Sequence, residues 1–395
     1  MRTVPDLLRG RATANPGEVA IAVDGIGDLT FGQWDRRSNA LARSLVADGC
    51  RPGDVVTLSF PDENWLDFAV SYFGVQKAGA VPLILSSRLA PPEIDDARRQ
   101  AGSHFVITSG ALRDGAYGDE PFQVPVEPTS LAEIIQTSGT TGRPKLVAAT
   151  HANVLYPFMD AAVATRPTTT YVHSLHISTS AAQGLLLLPL HPAAAASAFV
   201  VPVFEPDRLC AALARQRATH AVLAPSLGVA IVESGAAERH DVSELRYLSL
   251  TGAHAPAALR SRLQAAFPSA AIVVVYGCAE AGPAAVLMVH DPGRPTAVGR
   301  PVNRAQVRIA GPGGEVLRCG EVGEVWLRIP GAPTRSYFGD PAATTDVFPG
   351  GWTRTGDLAH LDADGFLHID DRQKDVINCG GLMVSTIEVE SVLCS

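Results

Sequence analysis

Short apolar runs alternate with amphipathic stretches along most of this chain, and that alternation leaves it few folds. Residues 29–31 lead into 35–46, which are apolar at helical spacing; Gly53 and Asp54 then turn into a strand at 55–60. Residues 64–78 read as a helix closed by Gly79, followed by a strand at 80–85. The pattern returns at 105–108, 221–224, 247–250 and 271–276. Strand–helix–strand order of this kind predicts parallel sheets with helices on their faces. After Pro301 the texture changes. Short strands at 307–310, 324–329 and 366–369, separated by Gly, Pro and Asp turns, predict a small β-barrel or ribbon subdomain.

Length and composition set the outer limits. With 395 residues, 46% hydrophobic and 18% charged, the chain has an ordinary globular composition and room for two or three structural units. A net charge of −8 offers no basic face, so nucleic acid is not an expected partner. The six cysteines show no C-x-x-C spacing and read as reduced thiols of a cytoplasmic protein. The N-terminus lacks the apolar core of a signal peptide. The most apolar stretch, 185–204, is interrupted by Pro189, His191, Pro192 and Pro202. It reads as buried strands and turns, not a membrane span.

One loop carries most of the chemistry. Residues 137–145 read T-S-G-T-T-G-R-P-K and follow an apolar strand at 131–136. Gly139 and Gly142 let backbone N–H groups turn inward. The hydroxyls of Thr137, Ser138, Thr140 and Thr141 donate further hydrogen bonds, and Lys145 adds a point charge. Such a loop can wrap a triphosphate. Its spacing is not that of the P-loop, because Arg143 and Pro144 separate the second glycine from the lysine. A flexible Ser/Thr/Gly linker is the alternative.

The loop, with Thr150, His151 and Asn153 after it, resembles the AMP-binding signature of the adenylate-forming enzymes: the acyl-CoA synthetases, the adenylation domains of nonribosomal peptide synthesis and the luciferases. Three further segments resemble the family's motifs in the family's order: 276–280 (Y-G-C-A-E), 351–357 (G-W-T-R-T-G-D) and 371–375 (D-R-Q-K-D). The resemblance implies an α/β fold with a large N-terminal domain of two helix-flanked sheets plus a small distorted β-barrel. On this reading 1–300 form the AMP-binding core, 301–373 the β-rich subdomain, and 374–395 the hinge at Lys374 with the start of a truncated C-terminal domain. That start would be a hairpin and a helix at 385–392. The family's catalytic lysine would lie in the missing part.

The same resemblance distributes the roles. Thr140 and Lys145 would act on the phosphates of ATP, and Glu280 would hold Mg2+, a hard cation suited to carboxylate and phosphate oxygens. Tyr276 and Gly277 would lie against adenine, with Gly252 and Ala253 covering its other face. Asp357 would accept from the ribose hydroxyls, beside Arg372. Two positions depart from the pattern. Ala279 stands where the family usually has threonine, removing a hydrogen bond worth roughly 0.5–1.5 kcal/mol. Leu146 stands where it usually has glycine.

For the acid, the resemblance marks His176 as a gate, with Ile177, Thr179, Gly252 and Cys278 lining the pocket. Amino-acid-activating members carry aspartate at the position of Ile177. An ammonium buried against isoleucine would go unpaired at a cost of several kcal/mol, so a non-amino carboxylic acid is expected. The implied reaction is ATP-dependent formation of acyl-AMP with release of pyrophosphate, then transfer to CoA or to the phosphopantetheine of a carrier protein. Two alternatives stay open at the level of sequence: a degenerate homologue that binds nucleotide without turnover, and transfer to an amine or alcohol.

Overall fold

The computed structural model describes residues 2–110, 118–137, 144–156, 169–191, 196–373, 377–379 and 382–384. Two compact units emerge: Met1–Phe204 with Arg335–Ala343, and Glu205–Thr334 with Thr344–Ser395.

The first unit is built around the helix Trp65–Lys77, which is apolar nearly all round and buried along its length. It connects the parallel strands Val55–Phe60 and Val81–Ser86, a crossover that recurs through Phe105–Ile107 and Leu131–Thr137. The helix Phe31–Ala47 lies against it. Trp34 donates its indole N–H to the Ala69 carbonyl at 2.9 Å and meets Phe73 edge-on at 5.0 Å. Gly74 permits this approach, since a Cβ there would stand 2.6 Å from a Leu41 methyl. Lys77 is buried at the helix end, where its ammonium donates to Asp35 at 2.6 Å and to Asn39 at 2.7 Å. The strand Lys145–Thr150 pairs antiparallel with Leu131–Thr137, and the edge strand Ser336–Tyr337 pairs with it in turn. A second set of strands in this unit orders Thr169–His173, Ala196–Val200, Val19–Val23 and Gly27–Thr30 side by side.

In the second unit His220–Leu223, Tyr247–Thr251 and Ala271–Tyr276 run parallel. The sheet then continues antiparallel through Val286–Val289, Ala297–Pro301, Leu367–Arg372, Thr353–Leu361, Gly323–Arg328 and Gln306–Ala310. Gly299 sets how closely two of these strands approach. Its φ is +117°, and a Cβ there would stand 1.8 Å from the Leu287 carbonyl oxygen.

The predicted elements occur with small shifts at their ends, and one reading needs correction. The apolar stretch from 185 is not made only of strands and turns: Leu185–Leu187 close the helix Ser180–Leu187, a 3₁₀ turn follows at Leu188–Leu190, and the strand is Ala196–Val200. Pro189 ends the helix, as a ring without an N–H should. Among the described residues no helix is long and apolar enough to cross a membrane. The hairpin Ile377–Cys379/Leu382–Val384 is present, whereas Lys374 and the expected helix at 385–392 lie outside the described residues.

Candidate active site

Within the second unit, a cavity of about 320 Å³ opens at the carboxyl ends of Tyr247–Thr251 and Ala271–Tyr276. The crevice beyond such strand ends is where open α/β sheets take their ligands. Gly252 to Ala255 form one wall, Tyr276 and Gly277 another, and Asp357, Asp371 and Arg372 supply its charge. Gly252 has φ +87°, so the turn after its strand suits glycine.

A hydrogen-bond network fixes the carboxylate. The Tyr276 hydroxyl donates to Asp357 Oδ2 at 2.7 Å, and Arg372 Nε donates to Asp357 Oδ1 at 2.8 Å. The side chain of Asp357 is 7% exposed, against 51% for Arg372, so the arginine is the solvent-side partner. Thr355 supports the turn, accepting from the Asp357 N–H at 3.1 Å while donating to the Val325 carbonyl at 2.9 Å. An ionised carboxylate has about four lone-pair sites, so two remain for a diol. Burial, then the Asp357 charge, holds the Tyr276 phenol well above its ordinary range, so it stays a donor. Sequence reading assigned Tyr276 only its ring face and missed this hydroxyl, as it missed Thr355.

Gly252, Ala253, Tyr276, Gly277, Asp357 and Arg372 all line this cavity. Cys278 and Glu280 follow in the next turn and do not line it. Burial, then Glu280, raises the Cys278 thiol, which is half-buried.

In the first unit, Thr137 and Lys145 face each other as the last pair of an antiparallel ladder. Ser138, Gly139, Thr140, Thr141 and Gly142 lie outside the described residues. The Lys145 ammonium stands 4.4 Å from the centre of the Tyr337 ring. Leu146 points into the core formed by Leu83, Leu85, Ile134 and Ala148, which explains a large apolar side chain at this place.

Elsewhere in that unit, His176 Nδ1 lies 2.9 Å from Asp62 Oδ2, and the Ile177 N–H donates to Asp62 Oδ1 at 3.0 Å. Ile177 is buried, and Gln183 donates to its carbonyl at 2.5 Å. The Thr179 hydroxyl donates to the His176 carbonyl at 2.9 Å and accepts from the Ala182 N–H at 3.2 Å, capping the helix Ser180–Leu187. Asp62 and Gln183 were not foreseen. His173 and His151 are buried, and burial pushes both imidazoles down to about 4.

Comparison with known proteins follows the same outline. Residues 8–338 match the family model of the AMP-binding enzymes. Feruloyl-CoA synthase of Amycolatopsis sp is 32% identical, over 97% of this chain and 81% of its own length. Long-chain-fatty-acid–CoA ligase FadD13 of Mycobacterium tuberculosis is 30% identical over 100% of this chain and 83% of its own. Among solved structures, the N-terminal domain of FACL13 from Mycobacterium tuberculosis superposes with a TM-score of 0.83 at 25% identity, covering 94% of this chain and all of that one. O-succinylbenzoate CoA synthetase (MenE) of Bacillus subtilis in complex with AMP gives a TM-score of 0.88 at 22% identity over 98% of this chain and 83% of that one; it speaks to the fold alone.

Proposed function

The chain belongs to the AMP-binding enzyme family, and from that premise we propose how its residues divide the work and which acid they take. The reaction is that of an AMP-forming acid–thiol ligase: a carboxylate oxygen attacks the α-phosphate of ATP, pyrophosphate leaves, and a thiol then takes the acyl group. CoA is the acceptor thiol of this reading; the phosphopantetheine of a carrier protein is the same thiol chemistry on a different handle. The scattered cysteines, with Cys50 and Cys210 buried as free thiols, support a cytoplasmic setting.

In this reading the ribose hydroxyls donate to the Asp357 carboxylate, which Tyr276 and Arg372 hold from its two oxygens. That fixed carboxylate at the cavity is the observation that carries the assignment. Adenine lies between Tyr276 and the turn at Gly252 and Ala253. Thr137, Ser138, Gly139, Thr140, Thr141, Gly142 and Lys145 hold the phosphates. Attack brings two anions together, so charge neutralisation and positioning are what the protein must supply. Glu280, a half-buried hard oxygen donor, fits Mg2+, which is held by few carboxylates and takes its other ligands from phosphate and water. Bound there, the ion would neutralise charge on the departing pyrophosphate.

The acid is a carboxylic acid without an α-ammonium. Ile177 is buried and offers an ammonium no counter-charge, and Asp62 is already engaged by Ile177 and His176. Residues 1–300 act as the AMP-binding core, 301–373 as a β-rich subdomain and Lys374 as a hinge. Acid-dependent pyrophosphate release, with mass-spectrometric detection of acyl-AMP over aliphatic, aryl and amino acids, tests the assignment. We expect an adenylate from at least one non-amino acid; an adenylate from amino acids alone would overturn the choice of acid.

A further inference from the structure

Two buried polar atoms beside Ile177 have no hydrogen-bond partner among the described residues. They are His176 Nε2 and Gln183 Oε1. Each belongs to a side chain whose other polar atom is already committed: His176 Nδ1 to Asp62 at 2.9 Å, and Gln183 Nε2 to the Ile177 carbonyl at 2.5 Å. Asp62 also accepts the Ile177 N–H at 3.0 Å, so one carboxylate ties the imidazole to the backbone of the residue next to it. The Asp62 side chain is 11% exposed, and its remaining cationic neighbour, Arg88, is 3.6 Å away and largely in solvent.

The chemistry of this arrangement is directional. A carboxylate oxygen at 2.9 Å from Nδ1 accepts the proton there, and a neutral imidazole protonated on Nδ1 keeps a lone pair on Nε2. Gln183, donating through its nitrogen, presents its oxygen as a second lone-pair site. A buried acceptor without a donor has given up its hydrogen bond to water and gained none in return. Two such atoms, both on side chains tied to Ile177, are an environment that a ligand carrying a donor would relieve and an all-hydrocarbon ligand would not.

We propose that this constellation selects acids whose acyl group carries a hydrogen-bond donor, a hydroxyl in the simplest case, bound by His176 Nε2 and Gln183 Oε1. Asp62 is the positioning residue that keeps the Nε2 lone pair available. The proposal rests on the assignment of His176 and Ile177 to the acid pocket. Sites built to bond a substrate hydroxyl reject the analogue without it far more strongly than apolar pockets reject a missing methylene.

Matched pairs of acyl-sulfamoyl adenosines, stable mimics of the adenylate, test it by calorimetry on the intact chain: 4-hydroxycinnamoyl against cinnamoyl, and 6-hydroxyhexanoyl against hexanoyl. We expect the hydroxylated member of at least one pair to bind about tenfold tighter or more, and Gln183→Met and Asp62→Ala each to erase most of that margin. Side-chain nitrogen NMR, with His176→Gln to assign the signal, should show the Nδ1-protonated tautomer and its loss in Asp62→Ala. A merely structural aspartate would not move that tautomer. Equal binding within both pairs, or a margin and tautomer unchanged in Asp62→Ala, overturns the inference alone. A margin unchanged in His176→Gln removes His176 from the acid pocket and overturns the inference with that assignment. Failure of every mimic to bind overturns the inference together with the adenylation site it rests on, which acid-dependent pyrophosphate release reports separately.

Discussion

Asp357 in the second unit and Asp62 in the first are both carboxylates with side chains largely out of solvent, and each is gripped through both oxygens. Around Asp357 both oxygens are held, by a tyrosine hydroxyl on one and a guanidinium on the other, with Thr355 bracing the turn and lone pairs left for a diol. Around Asp62 the grip leaves two buried polar atoms, on His176 and Gln183, without a partner among the described residues. On the proposed assignment, the nucleotide, which never changes, is met by a network fixed before it arrives. The acid is met by atoms left unpaired, so that its own groups decide the fit. Rigid support and open valence are two ways of investing the same polar atoms.

The sharpest way to break this comparison is Asp357→Ala. Removing the carboxylate leaves the Tyr276 hydroxyl without its acceptor, at about 1–3 kcal/mol, while the half-exposed Arg372 turns to solvent. With Asp357 assigned to the nucleotide as proposed, kcat/KM for ATP should fall by a factor on the order of a hundred to a thousand, with acid selectivity unchanged. A loss confined to the acid's KM would show that the two regions had been assigned the wrong way round.

Acidity should separate the units next. His151 Nδ1 accepts the Val4 N–H at 3.2 Å and His173 Nδ1 accepts the Leu175 N–H at 3.3 Å, both in the first unit. Each imidazole sits at about 4 when folded, against 6.5 when exposed. The unfolded chain therefore binds more protons between these values. Stability is fully present above about 6.5 and is lost as pH falls toward 4, by up to about 3 kcal/mol for each histidine. Hydrogen exchange at pH 7 and pH 4.5 should show the first unit losing protection, and His173→Phe should reduce that loss. Equal protection at both pH values would mean that neither imidazole is held neutral by the fold.

A smaller effect belongs to Arg372, which is half exposed where Asp357 is not. Arg372→Ala should raise KM for ATP by about tenfold or less and leave stability within about 1 kcal/mol, since exposed ion pairs contribute little. A loss as large as that of Asp357→Ala would mean that the arginine contacts the nucleotide directly and is more than the solvent-side brace of the carboxylate.

How far the sequence could have led differs between the two regions for physical reasons. The Ala271–Tyr276 strand, its Tyr–Gly end and the Thr–Gly–Asp turn are local patterns, and a local pattern carries its geometry with it. The hydroxyl of Tyr276 escaped notice because its partner lies 81 positions away and depends on strand pairing. Asp62 was invisible for the same reason, 115 positions from Ile177. Thr179 uses its hydroxyl to cap a helix, a role that a Thr–Ser start followed by an apolar run does announce. The 185–187 segment was misread because a continuous apolar run is compatible with either a helix or a strand when both are buried. Leu146, which looked like a departure from the family's glycine, fills a core whose shape only the folded sheet reveals.

The smallest expected effect probes the one cation of the phosphate-loop motif that the structure describes with its partner. Lys145 begins its strand, and the ring under its ammonium comes from Tyr337, buried on the neighbouring edge strand. A long, flexible lysine loses rotamer freedom when it serves a phosphate, and a ring beneath it removes part of that freedom beforehand. At 4.4 Å and a partly exposed site the interaction is worth about 0.5–1 kcal/mol. Tyr337→Leu should therefore raise KM for ATP by roughly two- to fivefold while kcat for a good acid stays close to its original value. Tyr337→Phe keeps the ring face and should restore most of the affinity, a rescue that lost packing alone would not produce for Leu but deny to Phe. If Leu and Phe behave alike, the ring does not orient the lysine, and the first unit's hold on phosphate is as open as its hold on the acid.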